Sequence, residues 1–298
     1  MGTQVANYPA PRRSENGGCL YLVATPIGNL EDITLRALRV LREVDLIACE
    51  DTRQTAKLLN FYGIHKKALS YHQHNEVVRA AEIVLEMEQG ARVALVSDAG
   101  TPGISDPGDH LISLAIRHAI PIIPVPGATA FGAALMASGL PCAHFHFVGF
   151  LPPRRTSRRK ALKELAGEPG TLIFYEAPHR LLESLADMAA VLGNRHVVLA
   201  REVTKLHEEF LRGRLEQVLP QIKKRPLRGE ITLLVAPADE GAAKPARRRT
   251  DSLRARVARL QKQKKLDLKA ALKQVARELG LSRSEAYRRL QEEKALED

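Results

Sequence analysis

The sequence predicts an α/β fold: two α/β domains with a cleft between them, followed by a small all-α unit of helix-turn-helix type. Three observations carry that prediction. Short apolar runs rich in β-branched residues alternate with segments of helical period, the pattern of a layered α/β protein with a largely parallel sheet. At 298 residues the chain exceeds what one hydrophobic core normally organises. The last fifth of the chain loses its strand signals and gathers charge. Seven Lys and ten Arg stand against eight acidic residues from Gly241 to Asp298, +9 of the whole chain's +11.

Residues 1–18 are polar, contain Pro and Gly, lack an apolar signal segment and read as a disordered leader. The first domain, 19–139, places doubly buried strands at Cys19–Thr25, Asp45–Cys49, Arg92–Ser97 and Ile120–Val125. Helices lie between them at Thr34–Glu43, Arg53–Tyr62, Val77–Gln89 and Gly108–His118. The second domain, 140–237, places strands at Phe145–Phe150, Thr171–Tyr175, His196–Ala200, Glu209–Arg212 and Ile231–Ala236, with helices at Ser157–Leu165, Arg180–Val191 and Leu215–Ile222. Some of these strands follow one another directly, so a mixed sheet is expected. Residues 238–250 form a linker of Ala, Pro, Gly and charge without apolar period. In 251–298 the helices are Leu253–Lys262, Leu268–Leu279 and one running through Ala286–Leu290, with Gly280 as a C-cap and Ser282 as an N-cap three residues before Glu285. Helix, short turn and helix is either a nucleic-acid-binding layout or a plain three-helix bundle.

Composition narrows the function classes. No run approaches the ~18 apolar residues that cross a bilayer, and the cytoplasm is the expected location. The three cysteines, Cys19, Cys49 and Cys142, are odd in number and far apart, so neither a disulfide framework nor a zinc site follows. The basic tail suits a polyanionic partner, since each neutralised phosphate releases counterions; a solubilising tail is the other reading.

The richest loop is Val96–Asp109, VSDAGTPGISDPGD, leaving a buried strand at Asp98 with three Gly, two Pro and three Asp before the next helix. Glycines let the backbone approach a ligand, and a strand-end carboxylate accepts hydrogen bonds from a ribose or an amine. No Lys-Ser/Thr pair follows the glycines, and acidic charge repels phosphate, so this is not a phosphate loop. A cationic, ribose-bearing ligand such as S-adenosylmethionine fits better, against the alternative of a long surface turn. Val125–Ala130 (VPGATA) and Leu22–Leu30 (LVATPIGNL) also end strands, and the three loops would line one rim. Three polar clusters join them: Cys49–Arg53 (CEDTR), Tyr71–Glu76 (YHQHNE) and Tyr175–Arg180 (YEAPHR). Asp51 with Arg53, and Glu176 with Arg180, are either site residues or structural ion pairs. His72 and His74 point oppositely if they lie on a strand and lack a third ligand, so no metal site is expected.

TPIGNLEDIT, CEDTR, YHQHNE, VSDAGTPGISDPG and FYEAPHR, in that order, resemble the bacterial small-subunit ribosomal RNA cytidine-2′-O-methyltransferases of the tetrapyrrole methylase superfamily, from about Gly18 to Pro237 with a matching basic tail. The resemblance implies a methyl donor, S-adenosylmethionine, in the cleft, no metal, a homodimer, and the small ribosomal subunit with its 16S RNA as partner. It implies donor contacts at Pro26, Asp98, Gly100, Thr101, Ile104, Thr129, Ala130, Tyr175 and Ala177. This chain has Ser97-Asp98-Ala99 where the superfamily often has Gly-Asp-Pro, and VPGATA departs from the expected Pro-Gly-Pro-Cys/Ser form, so Asp98 is the firmest of these positions.

A ribose hydroxyl attacks only as its proton leaves. The base candidates are Glu50, Asp51, His72, His74 and Glu176, with Glu50 and Asp51 favoured because their strand end should face the cleft. Arg154, Arg155, Arg158, Arg159 and Lys160 form one basic patch for RNA, and Arg283, Arg288 and Arg289 in the tail a second. Phosphate contacts only position the substrate, so one cytidine would be selected by ribosome shape and a pocket for a splayed-out base. Two alternatives stand beside this reading: a tetrapyrrole C-methyltransferase of the same superfamily, and a ligand-sensing helix-turn-helix regulator.

Overall fold

A computed structural model describes residues 17–225, 227–238, 257–258, 260–261, 267–278 and 281–295. The chain divides after Ala238 into two compact units. The first contains both expected sheets. One is built from β1 (Cys19–Val23), β2 (Leu46–Cys49), β3 (Ala68–Ser70), β4 (Arg92–Val96) and β5 (Ile122–Val125), in the order β3-β2-β4-β1-β5 and parallel throughout. Its helices α1 (Leu35–Glu43), α2 (Thr52–Phe61), α3 (Glu76–Glu88) and α4 (Asp109–Arg117) follow the helical periods in the sequence. Strand side chains such as Leu20, Val93 and Leu95 bury against one face, and Val23, Ile47 and Val96 against the other. Burial on both faces is why these strands read as unbroken apolar runs rather than alternating ones. The short edge strand β3 was not expected, because three half-buried residues are too few to show a period.

The second sheet is mixed, as expected. It contains β6 (Phe145–Phe150), β7 (Thr171–Glu176), β8 (His196–Arg201), β9 (Glu209–Arg214) and β10 (Ile231–Val235), in the order β6-β7-β10-β8-β9, with only β6 and β7 parallel. Helices α6 (Arg155–Leu165), α7 (Leu181–Leu192) and α8 (Leu215–Lys224) cover one face around Phe174, Leu199 and Leu233. The opposite face is covered by α5 (Ala130–Ser138), which leaves the first sheet and buries Ala134 and Leu135 against Ile173, Val198, Ala200 and Leu234. Arg212 fastens the end of α5 by donating to the carbonyls of Ala137 (2.6 Å) and Ser138 (3.2 Å). The two sheets therefore share one helix, and the space beside it is where the site lies.

In the second unit, α9 (Leu268–Glu278) and α10 (Arg283–Ala295) pack through Ala271, Leu272, Val275, Ala286 and Leu290. The Ser282 hydroxyl accepts from the Glu285 N–H at 3.2 Å, the expected N-cap. Of the expected helix Leu253–Lys262, residues 257–258 and 260–261 are helical; its remainder, Gly280, residues 1–16 of the leader and nearly all of the linker lie outside the described residues.

Candidate active site

The parallel sheet dictates where the sequence motifs meet. Every strand points the same way, so the segments leaving β3, β2, β4, β1 and β5 stand side by side along one carboxyl rim: YHQHNE, CEDTR, SDAGT, TPIGN and PGAT. Neighbouring exits are stitched together. Asp51 N donates to Asp98 Oδ1 at 3.0 Å. Thr25 and Gly100 exchange backbone hydrogen bonds of 2.8 and 3.2 Å, and the Thr25 hydroxyl reaches the Ser97 carbonyl at 3.2 Å. The Thr101 hydroxyl donates to the Ala128 carbonyl at 3.3 Å. Gly100, at φ +89°, makes the turn that this stitching requires. Ser105 takes a left-handed φ of 63° without being glycine, the kind of local strain that collects at binding sites.

Between this rim and the second sheet lies a cavity of about 400 Å³, within the ~300–1,000 Å³ range of small-molecule sites. The rim contributes Ile27, Asp98 to Thr101, Ile104 to Asp106, Thr129 and Ala130. The far wall is Phe150, Tyr175 to Pro178, Val203 and Gly229 to Thr232. Tyr175 holds the start of α5, its hydroxyl accepting from Phe131 N at 3.3 Å. Burial pushes the Tyr175 phenol up. Glu176 is buried and tied to its own turn, accepting from Ala177 N at 3.0 Å and from the Ser184 hydroxyl at 2.5 Å, with Arg180 3.4 Å away.

The cavity's charged groups are carboxylates, set among the hydroxyl-bearing Thr101, Ser105, Thr129, Tyr175 and Thr232. Asp98, Asp106, Glu176 and Glu230 line it, Glu230 paired with Lys205 at 2.9 Å, and Glu50 stands close by. Burial first, then the charges of Glu50, Asp98 and Glu230, push the Asp106 carboxyl up to about 6 against a pull down from Ser97. Burial and Asp98 likewise push Glu50 up, partly offset by His72. Such a pocket favours a cation and disfavours an anion. Apolar walls at Ile27, Ile104, Val203 and Ile231 leave room for a flat organic group beside it.

Eight of the nine sequence-selected donor positions line this one cavity: Asp98, Gly100, Thr101, Ile104, Thr129, Ala130, Tyr175 and Ala177. Pro26 does not; its neighbours Thr25 and Ile27 stitch and line instead. The sequence reading missed Asp106 and Glu230. Asp106 lay inside the glycine-rich loop, whereas Glu230 precedes a strand and has no motif around it. Asp51 is committed elsewhere. It caps α2, accepting from Arg53 N at 2.8 Å, and pairs with the Arg53 guanidinium at 2.7 Å, which together hold its carboxyl down at about 2. His72 and His74 sit in a turn rather than a strand, so their rings meet edge to face at 5.8 Å instead of diverging. Among the described residues no group of three or more His, Cys, Asp or Glu is arranged to hold a metal ion.

The first basic patch needs one correction. Arg158 is 1% exposed, bound to Asp187 at 2.8 Å, Glu183 at 3.1 Å and the Pro153 carbonyl at 3.1 Å. An arginine locked into the core in this way cannot meet RNA. Arg155 and Arg159 share Asp187 at 3.4 and 2.7 Å but keep their heads partly in solvent, and Arg154 and Lys160 are exposed. In the tail Arg288 and Arg289 are exposed, Arg289 3.0 Å from Glu285; the side chain of Arg283 lies outside the described residues.

The sequence pattern of the family described as Tetrapyrrole (Corrin/Porphyrin) Methylases matches residues 19–219. Over 224 residues the chain is 52% identical to "Ribosomal RNA small subunit methyltransferase I" of Halalkalibacterium halodurans, covering 75% of this chain and 78% of that one. A protein of the same name from Synechocystis is 46% identical over 274 residues, 91% of this chain and 96% of that one. A third, from Thermotoga maritima, is 48% identical over 219 residues, 74% of this chain and 98% of that one. Among solved structures, uroporphyrin-III C-methyl transferase from Thermus thermophilus complexed with S-adenyl homocysteine superposes with a TM-score of 0.54 at 21% identity, covering 74% of this chain and 97% of that chain. Motif order, sheet topology and these matches agree: the chain belongs to the tetrapyrrole (corrin/porphyrin) methylase family.

Proposed function

We propose that the chain transfers a methyl group from S-adenosylmethionine to the ribose 2′ oxygen of a cytidine in 16S RNA of the small ribosomal subunit. The observation that carries this is the cavity between the rim and the second sheet, lined by carboxylates, hydroxyls and apolar side chains, which suits a cationic, ribose-bearing molecule. The printed names of the relatives supply the RNA class, and the resemblance supplies the nucleotide and the ribose position. Bound there, the donor would bring a methyl group on a positively charged sulfur, and so its own activation. Asp98, which accepts from the Asp51 N–H, would accept hydrogen bonds from the donor. Thr101, Thr129 and the loop backbones bound it closely, and Tyr175 and Ala177 close the opposite side.

Glu50, half-buried at the β2 exit with its carboxyl pushed up, is the group we assign to accept the 2′ proton. Arg154, Lys160 and the exposed heads of Arg155 and Arg159 would hold phosphate outside the acidic cavity, as would Arg288, Arg289 and Arg283 in the tail. The same acidic lining opposes a carboxylate-bearing tetrapyrrole in that space. A cytoplasmic homodimer belongs to this reading.

Calorimetry tests the site. Asp98→Ala is expected to weaken donor binding by roughly tenfold or more while leaving RNA affinity in place. Unchanged donor affinity would contradict the assignment. Glu50→Gln should keep donor affinity and lower turnover on the order of 10²-fold, the usual size of a general-base contribution. Near-normal turnover in that variant would remove Glu50 from the mechanism.

A further inference from the structure

β6 carries an irregularity next to the cavity. Its pairing with β7 runs Phe145 to Thr171, His146 to Leu172 and Phe147 to Ile173, then jumps, with Gly149 opposite Phe174 and Phe150 opposite Tyr175. One extra residue is therefore inserted between Phe147 and Gly149. Side chains alternate faces along a strand, so Phe150, an odd number of residues after Phe147, would point away from it on a regular strand. The bulge restores it to the face of Phe147 and Tyr175. Gly149 makes this possible at φ +74°, where a Cβ would also lie only 3.1 Å from the Ser105 hydroxyl.

The result is a row of rings on one face of the sheet. Phe131 meets Phe147 at 4.7 Å, Phe147 meets Tyr175 edge-on at 5.1 Å, and Tyr175 meets Phe150 edge-on at 5.7 Å. The inner members are at least partly buried, whereas Phe150 lines the cavity and is still 55% exposed. The cavity's other large apolar side chains are more covered: Ile27, Val203 and Ile231 are 5%, 9% and 3% exposed, and Ile104 is half-buried. A phenyl ring held outward at a cavity mouth gains little for folding. Four residues further on, at most ~14 Å along the chain, the exposed Arg154 begins the basic stretch.

We propose that Phe150 is the platform on which the target base stacks when its nucleotide is drawn out of the RNA. This rests on the methyl-transfer reading above and adds the residue that receives the base. An unstacked base offers a flat π-face and no charge, so it can approach the acidic mouth that repels phosphate, while the arginines beyond hold the backbone. Tyr175, itself hydrogen-bonded to α5, backs the ring and keeps it from turning inward.

The test compares Phe150→Ala, Phe150→Leu and Phe150→Trp in the full-length protein. Methylation is measured on small subunits lacking the modification, and donor affinity by calorimetry. Phe150→Ala and Phe150→Leu are expected to lose roughly 5- to 150-fold in kcat/KM, equivalent to the ~1–3 kcal/mol of one base–aromatic stack. Phe150→Trp should stay within a few-fold of the parent, and all three should bind donor as the parent does. Leucine keeps the apolar bulk but not the flat face, so full activity in Phe150→Leu would overturn the proposal. A loss of donor affinity that matches the loss of activity would overturn it too, making Phe150 part of the donor wall. If the parent protein itself neither binds donor nor methylates subunits, the methyl-transfer reading fails instead.

Discussion

At the scale of single residues, the site is governed by where charge is left uncompensated. Arg53 neutralises Asp51, Asp187 neutralises Arg158 and Lys205 pairs with Glu230 at 2.9 Å, but Asp106 faces Glu50 and Asp98 beside the cavity. A proton and a cationic ligand therefore compete for the same carboxylate. With the Asp106 carboxyl raised to about 6, it is largely protonated below that pH and ionised above it. Affinity for S-adenosylmethionine should thus strengthen as pH rises from 5 to 7, and binding near pH 6 should release protons. The dependence should be shallower for the demethylated product, whose sulfur is neutral, and should flatten in Asp106→Asn. Calorimetry in buffers of different ionisation enthalpy measures the proton release; equal pH profiles in parent and variant would contradict this role. The sign for stability is opposite to that of a salt-bridged carboxylate: a raised carboxyl destabilises the ligand-free protein as pH climbs through 6. The sequence flagged Asp98 because it ends a strand inside a motif. It could not flag Glu230, whose relevance comes from a strand 132 positions away being folded against the same space.

At the scale of elements, most helices were legible from their apolar period and the first sheet's strands from unbroken apolar runs, and the boundaries moved by only one or two residues at most ends. What was not legible was partnership. Residues 130–138 fell within the first domain's bounds of 19–139, yet α5 packs on the second sheet, since a helix apolar all round shows neither a face nor a neighbour. The same limit applies to α6. RRTSRRK reads as a uniform basic patch, but helical geometry turns Arg158 inward onto Asp187 and Glu183 of α7 while Arg154 and Lys160 face solvent. The consequence is a clean division. Arg158→Ala removes a buried arginine bound to Asp187, Glu183 and the Pro153 carbonyl while Arg159 and Arg155 stay on Asp187, and should cost about 1–3 kcal/mol of stability. Arg154→Ala should leave the denaturation midpoint unchanged and weaken subunit binding. Denaturant titration and a binding isotherm separate the two, and a stable Arg158→Ala variant with weakened RNA binding would reverse the assignment.

At the scale of the whole molecule, the chemistry and the charge reside in different units. The cavity is complete within the unit ending at Ala238, whereas +9 of the formal charge follows Gly241. The Thermotoga maritima relative, 98% of which is covered by a 219-residue match, is too short to carry both units. Removal of the residues after Ala238 should therefore leave donor affinity intact. It should also flatten the dependence of log K for RNA on log salt, by about 0.7 to 0.9 for each phosphate that the tail neutralises in the intact protein. An unchanged salt slope would make the tail a solubilising segment. The central claim of the proposed function is that a ribose oxygen is methylated at this rim. Nucleoside mass spectrometry of 16S RNA, after incubation of unmodified small subunits with the purified protein and labelled S-adenosylmethionine, tests it most directly. The account predicts label in 2′-O-methylcytidine; label on a base carbon, or none in the RNA, would contradict it.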